Sequence, residues 1–114
     1  MVINDKVVAI TGAARGIGRG IALHLADKGA KLAILDLDEA AMAETVTDIE
    51  RAGTECRAYT CDVTNESVVE NTFKQIVADF GAIHGLVNNA GIIRDAQLLK
   101  ICLLYTSDAA DEWI

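Results

Sequence analysis

The chain has 114 residues, enough for one domain at most, and its 52% hydrophobic and 24% charged content with 9 glycines is that of a folded core, which excludes intrinsic disorder. Its 17 acidic against 10 basic side chains leave a formal charge of -7 that would repel phosphate backbones and anionic membranes, which argues against nucleic acid or membrane as a partner. The N-terminal Met1-Val2-Ile3-Asn4-Asp5-Lys6 is charged where a secretory signal needs an apolar stretch, and no run approaches the roughly 18 apolar residues of a spanning helix, so the expected location is cytoplasmic.

Apolar runs alternate with amphipathic stretches along the chain, the pattern of a parallel sheet with crossover helices. Lys6 to Thr11 is a short, β-branched run entering a glycine-rich turn, as expected of a central strand buried on both faces. From Gly16 to Lys28 a helix is predicted, with Ile17, Ile21 and Leu25 as its sheet-facing stripe and Gly29 as its stop. Lys31 to Leu35 is a second strand closed by Asp36. Asp38 then caps a helix that carries Ala41, Met42, Val46 and Ile49 inward, and Gly53 ends it. Glu55 to Cys61 is the third strand. The next helix opens near Asn65, buries Val69, Phe73, Ile76, Val77 and Phe80, and stops at Gly81. Ile83 to Val87 is a fourth strand running into Asn88-Asn89-Ala90-Gly91, a turn-forming cluster at its C-terminal edge. Right-handed crossovers then predict an α/β fold with a doubly wound parallel sheet of strand order 3-2-1-4.

Of three cysteines, Cys56 and Cys61 lie five residues apart on one predicted strand, roughly 16 Å at about 3.3 Å per residue, too far to bridge. No Cys-x-x-Cys and no His beside a Cys supplies a zinc ligand set, so reduced, structural thiols are expected. His24 and His84 likewise read as structural, and Arg19, near the start of the first helix, as solvated.

The informative segment is Thr11-Gly12-Ala13-Ala14-Arg15-Gly16-Ile17-Gly18, because it lies between a strand and a helix. Glycines there allow a tight turn and close approach of a pyrophosphate to helical N–H groups. The spacing is Gly-x-x-x-Gly-x-Gly and not the general Gly-x-Gly-x-x-Gly. Asp36 ends the second strand eighteen residues after Gly18, near the roughly twenty-residue offset of a ribose-binding carboxylate. A 2′-phosphate would meet Asp36 as a like charge, which favours NAD over NADP, although Arg15 would partly offset that repulsion. Asp62, after the third strand at the same edge, is either an acceptor for an adenine amino group or an ordinary turn residue.

Taken together, Thr11-Gly-x-x-x-Gly-Ile-Gly18, Asp62-Val63 and Asn88-Asn-Ala-Gly91 resemble the short-chain dehydrogenase/reductase family over about residues 3 to 100, and the fuller phrase Thr11-Gly-Ala-Ala-Arg-Gly-Ile-Gly-Arg-Gly-Ile-Ala22 most resembles its 3-oxoacyl-acyl-carrier-protein reductase-like branch. The resemblance implies an incomplete Rossmann-type domain over 1–101. It implies that Gly12, Arg15, Gly16, Ile17 and Gly18 line a pyrophosphate, Asp36 the adenosine ribose, Asp62 and Val63 the adenine, and Asn88, Ala90 and Gly91 the nicotinamide side. Asn88 has a second reading, a side-chain amide tying the central strands together. The resemblance further implies hydride transfer between the cofactor and a small-molecule carbonyl or secondary alcohol, acyl carrier protein as a partner by branch analogy, and a homo-oligomeric parent.

The family's catalytic Tyr-x-x-x-Lys pair is missing: Val63 stands four residues after Tyr59, and Ala109 four after Tyr105. A Lys one helical turn away is what would stabilise a tyrosinate whose pKa is otherwise about 10. The chain by itself is therefore expected not to catalyse hydride transfer. Residues 102–114, Cys102-Leu-Leu-Tyr-Thr-Ser-Asp-Ala-Ala-Asp-Glu112 above all, resemble the conceptual translation of a transposase adapter used in sequencing libraries, so Cys102, Tyr105 and Trp113 carry no functional weight. The fourth strand is then expected to leave a bare hydrophobic edge. Arg94-Asp95 reads as a surface pair. The reading from another class is a dinucleotide-binding module or sensor without chemistry.

Overall fold

The structure is a computed structural model that describes residues 3–91 and the backbone of 112–113. The elements run β1 (Val7–Thr11), α1 (Gly16–Asp27), β2 (Lys31–Asp36), α2 (Glu39–Arg51), β3 (Cys56–Thr60), α3 (Glu66–Phe80), β4 (Gly85–Asn88) and β5 (Glu112–Trp113). All strands pair in parallel in the order β3-β2-β1-β4-β5, which contains the expected 3-2-1-4 arrangement.

Alternation along the strands feeds two cores. Val8, Ile10, Leu32 and Ile34 face α1 and α2, where Ala22, Ala26, Met42 and Ile49 are buried. On the other face Ala9, Ala33, Leu35 and Leu86 meet Val69, Phe73 and Ile76 of α3. β1 is buried throughout, as a central parallel strand must be. In β3, at the sheet edge, only Cys56 is.

Local chemistry sets the helix ends. The Asp38 side chain accepts from Ala41 N at 3.0 Å and that of Asn65 from Val68 N at 3.2 Å, each satisfying an otherwise orphaned donor. Gly81, at φ 88°, closes α3 in the left-handed region.

Three expectations are corrected. Of the expected stripe of α1, Ile21 and Leu25 are partly buried against the core but Ile17 is 77% exposed, and the fully buried positions are Gly18, Ala22 and Ala26. The helix begins so close to the β1 turn that only small residues fit between them, and larger neighbours rotate to the flank. Arg19 is not solvated: its guanidinium donates to Thr45 Oγ1 at 2.7 Å and pairs with Asp48, joining α1 to α2. The outer edge of β4 is not wholly bare either, because Glu112 and Trp113 align with Gly85 and Leu86, two extended residues sufficing to pair that end of the strand.

The N-terminal edge of the sheet is tied down by backbone bonds: Asp5 N to Gly29 O at 2.9 Å, Lys31 N to Lys6 O at 2.8 Å, Leu32 N to Glu55 O at 2.9 Å and His84 N to Val7 O at 2.8 Å. Thr54 Oγ1 donates to Ala30 O at 2.7 Å at the same edge, and His84 Nδ1 accepts from Val7 N at 3.0 Å. His84 is thus structural, and burial and the Lys6 charge hold its pKa below the ordinary histidine value. Cys56 and Cys61 are buried free thiols; burial, with Glu50 adding to it, pushes Cys56 up to about 12, and burial raises Cys61 too. Neither is a thiolate near neutral pH. Among the described residues no helix is long and apolar enough to cross a membrane.

Candidate functional site

The register brings the C-terminal ends of four strands to one edge: Thr11 lies beside Asn88 and Leu35, and Asp36 beside Thr60. At about 4.8 Å per strand spacing, the loops after β3 and β4 stand about 14 Å apart with the β1 turn between them. Parallel α/β sheets place ligands along such an edge.

The β1–α1 turn is built by close approach. Gly12, at φ 68°, receives Asn89 Nδ2 on its carbonyl at 3.2 Å. A Cβ on Gly18 would stand 2.1 Å from that same carbonyl oxygen, so only glycine admits the contact. Gly16 is different: at φ 62° it faces open space, with nothing within 4 Å of an added Cβ. Its conformation demands glycine, and the surface above it is open.

That opening adjoins the N-terminus of α1. α2 and α3 have side-chain caps and a Glu in the first turn, whereas Arg15 caps α1 with no side-chain hydrogen bond and the first turn carries no acid. The positive end of the helix dipole and its leading N–H groups therefore face the opening uncompensated, which suits an anion. The Arg15 side chain itself turns away to pair with Asp38 at the β2–α2 corner.

Asp36 stands beside this opening. Its Oδ2 accepts from Ala14 N at 3.1 Å, and its Oδ1 from Leu37 N at 2.7 Å and Asp38 N at 3.2 Å. An ionised carboxylate offers about four acceptor positions, so these bonds fix its orientation and leave capacity for a hydroxyl donor. The two large hydrophobic side chains exposed among the described residues are Ile17, at 77%, and Leu37, at 66%; they belong to the glycine turn and to the residue after Asp36.

Asp62 Oδ1 accepts from Thr64 N at 3.0 Å and Thr64 Oγ1 at 2.6 Å, and these bonds hold its carboxyl below the ordinary range. It is ordered as a turn acceptor after β3, with Val63 packed against the α3 core. At the other end, Thr11 Oγ1 donates to Asn88 Oδ1 and accepts from Ala90 N, both at 3.1 Å. The strand-tying reading of Asn88 is thereby realised, and Ala90 is locked to β1. Gly91, at φ 70°, takes the left-handed conformation that favours glycine.

The structure thus gathers Gly12, Gly16, Ile17, Gly18 and Asp36 round one opening, with Asp62 and Val63 beyond β2 and Asn88, Ala90 and Gly91 beyond β1. Three contributors were not anticipated from sequence. Asn89 and the buried Thr45 act on the β1–α1 turn backbone, at Gly12 O and at Ala13 O and Ala14 O, and the Thr11 hydroxyl on Ala90 N after β4, roles signalled only by a polar residue inside or beside an apolar run. Tyr59 lies elsewhere: its hydroxyl donates to Asp79 Oδ2 at 2.7 Å, and burial together with Asp79 raises its pKa. Arg94, Asp95, Cys102 and Tyr105 lie outside the described residues. Among those described, no group of three or more His, Cys, Asp or Glu is placed to hold a metal.

A family model described as short chain dehydrogenase matches residues 6–108. The chain is 48% identical over 97 residues to the CLA biosynthesis dehydrogenase/reductase of Lactiplantibacillus plantarum, covering 85% of this chain and 34% of that protein. It is 38% identical over 96 residues to the human 3-oxoacyl-[acyl-carrier-protein] reductase, covering 84% and 39%. Among solved structures, NAD+-bound xylitol dehydrogenase superposes with a TM-score of 0.76 at 42% identity, over 80% of this chain and 35% of that one. A short chain dehydrogenase/reductase from Burkholderia phymatum in complex with NAD gives 0.72 at 37% identity, over 75% and 31%. The chain therefore spans little more than a third of the length of the relatives it matches.

Proposed function

Because the chain belongs to the short chain dehydrogenase family, we propose that it is the dinucleotide-binding part of an NAD-dependent oxidoreductase acting on a carbonyl or secondary alcohol. The observation that carries this reading is the conjunction at one edge of an uncapped, acid-free α1 N-terminus, the open space above Gly16 and an oriented Asp36 carboxylate. These residues fit a dinucleotide. The N–H groups of the first turn of α1 receive the pyrophosphate, with Gly12 and Gly18 holding the turn that presents them. Asp36 accepts from the adenosine ribose, and its negative charge opposes a 2′-phosphate, hence NAD over NADP. Asp62 and Val63 border the adenine, and Asn88, Ala90 and Gly91 the nicotinamide end. Ile17 and Leu37 lose their exposure beneath the bound molecule.

When bound, the nicotinamide supplies hydride exchange with the substrate carbon. The residues of this chain bind and orient it, while the proton on the substrate oxygen requires an acid or base beyond them, since neither tyrosine has a Lys four residues on. Likeness to a 3-oxoacyl-[acyl-carrier-protein] reductase makes 3-oxoacyl thioesters one candidate substrate class and acyl carrier protein a candidate partner of a homo-oligomeric, cytoplasmic parent. Residues 102–114 are read as a tail foreign to that parent.

Titration of the chain with NADH, followed by cofactor fluorescence, tests the binding site: saturable binding is expected, and its absence would remove the proposal. Sequencing the source DNA beyond the Lys100 codon from an adapter-free library tests the parent. An open frame that supplies Tyr-x-x-x-Lys is the expected result; a genomic Cys102 to Ile114 followed by a stop would favour a non-catalytic binding module.

A further inference from the structure

Thr45 is one of two polar residues fully buried in the described structure, and it lies on α2, outside the turn and edge residues gathered above. Its Oγ1 accepts from Arg19 Nη1 at 2.7 Å and stands 3.3 Å from Ala14 O and 3.4 Å from Ala13 O. Arg19 is in turn anchored by Asp48, which also meets Arg51 at 3.5 Å. Building on the dinucleotide reading, we propose that Thr45, held by Arg19, is a positioning residue that aims the Arg15 N–H, at the mouth of α1, at the pyrophosphate.

The argument is one of peptide geometry. A trans peptide is planar, with its C=O and N–H pointing in opposite directions. Drawing Ala13 O toward α2 directs Ala14 N–H the other way, to Asp36 Oδ2 at 3.1 Å, where it is spent on a carboxylate that Leu37 N and Asp38 N also hold, so that loss of Thr45 leaves the ribose contact in place. Drawing Ala14 O toward α2 directs Arg15 N–H away from α2 in the same manner, at the mouth of α1. A hydroxyl has one proton to give, and accepting from a guanidinium strengthens the bond it donates. The competing arrangement is donation back to Ala41 O, 3.4 Å away on the same helix, which would leave the turn unaffected.

Calorimetric titration of the full 114-residue chain with ADP and with adenosine separates the two. Thr45→Val keeps the volume and removes the hydroxyl; it is expected to weaken ADP about tenfold and adenosine less than twofold, with Thr45→Ser restoring ADP to within about twofold of the unsubstituted chain. Equal losses for both ligands, or none for ADP, would overturn the proposal. Should Thr45→Val fail to fold, Arg19→Met at the partly exposed end of the pair is expected to give the same ADP-selective loss, and unaltered ADP affinity there would overturn it equally. If the unsubstituted chain binds neither ADP nor NADH, the dinucleotide reading itself is at fault.

Discussion

Replacing Gly18 by Ala inserts one methyl where the structure has no place for it. The new Cβ would lie 2.1 Å from Gly12 O, 2.8 Å from Gly12 C and 2.6 Å from Asn89 Nδ2. Two of the three atoms are backbone, so relief requires moving the turn or the helix and not a flexible side chain. Overpacking of this kind costs about 3 kcal/mol at the upper end of its usual range, and loss of the Asn89 to Gly12 hydrogen bond adds about 1 kcal/mol. Alanine in place of glycine within a helix returns about 1 kcal/mol. The net destabilisation is about 3 kcal/mol, a fall of about 12 °C in Tm for a domain of this size. Gly20, in the same helix with nothing within 4 Å of an added Cβ, is the matched control, where Gly20→Ala is expected to gain up to about 1 kcal/mol. Thermal unfolding followed by circular dichroism on both variants is the assay. A Gly18→Ala chain as stable as the unsubstituted one would refute the claim that the first turn of α1 is set by backbone contact.

Asp36→Ala is expected to weaken NADH binding about 10- to 100-fold, the worth of hydrogen bonds to a charged group, while NADPH loses far less because a repulsion goes with the bonds; parallel losses would exclude the ribose role. Asp38→Asn retains a good cap on α2 but gives up the charge that pairs with Arg15, so NADPH affinity should rise relative to NADH, with stability altered by less than about 1 kcal/mol for so exposed a pair; an unchanged cofactor ratio would show that Arg15 is too far from the 2′ position to matter. His84 contributes a pH dependence of known sign. Its folded pKa is depressed, so the unfolded chain binds the proton more readily, and the stability from neutral His84 is complete above the ordinary histidine value of about 6.5 and lost as pH falls from there through the lower folded pKa. Urea unfolding at pH 7.5 and 5.5 should show this loss, and His84→Gln should remove it; an undiminished slope in that variant would assign the effect elsewhere.

The strand order, the caps at Asp38 and Asn65 and the stop at Gly81 were legible in the sequence because each depends on neighbours in the chain or on the handedness of crossovers. Periodicity failed at α1, where hydrophobicity pointed to Ile17 and the structure buries Gly18, Ala22 and Ala26. The deciding quantity there is the distance between helix and turn, set by Gly12 and Asn89 from a segment more than seventy residues away. Arg19 and Thr45 were misjudged or missed for the same reason: their partners lie on another helix, and an arginine near a helix start looks solvated until that helix is placed. The positions of Gly12, Gly16, Gly18 and Asp36 could be read directly, since the turn and the strand end impose them; which way the Arg15 side chain points could not.

The bonds that tie the strands to one another at the N-terminal edge, through Asp5, Lys31, His84 and Thr54, lie a full strand length from the loops that present the ligand-facing groups. Division of labour between the two ends has an evolutionary consequence. Substitutions and insertions in the loops after β2, β3 and β4 can retune what is held there without loosening the registration of the sheet. The same separation makes the two ends distinguishable by amide hydrogen exchange: added ligand should slow exchange in the turn following β1 and at Leu37 and Ala90, and leave Lys31 and His84 as slow as before.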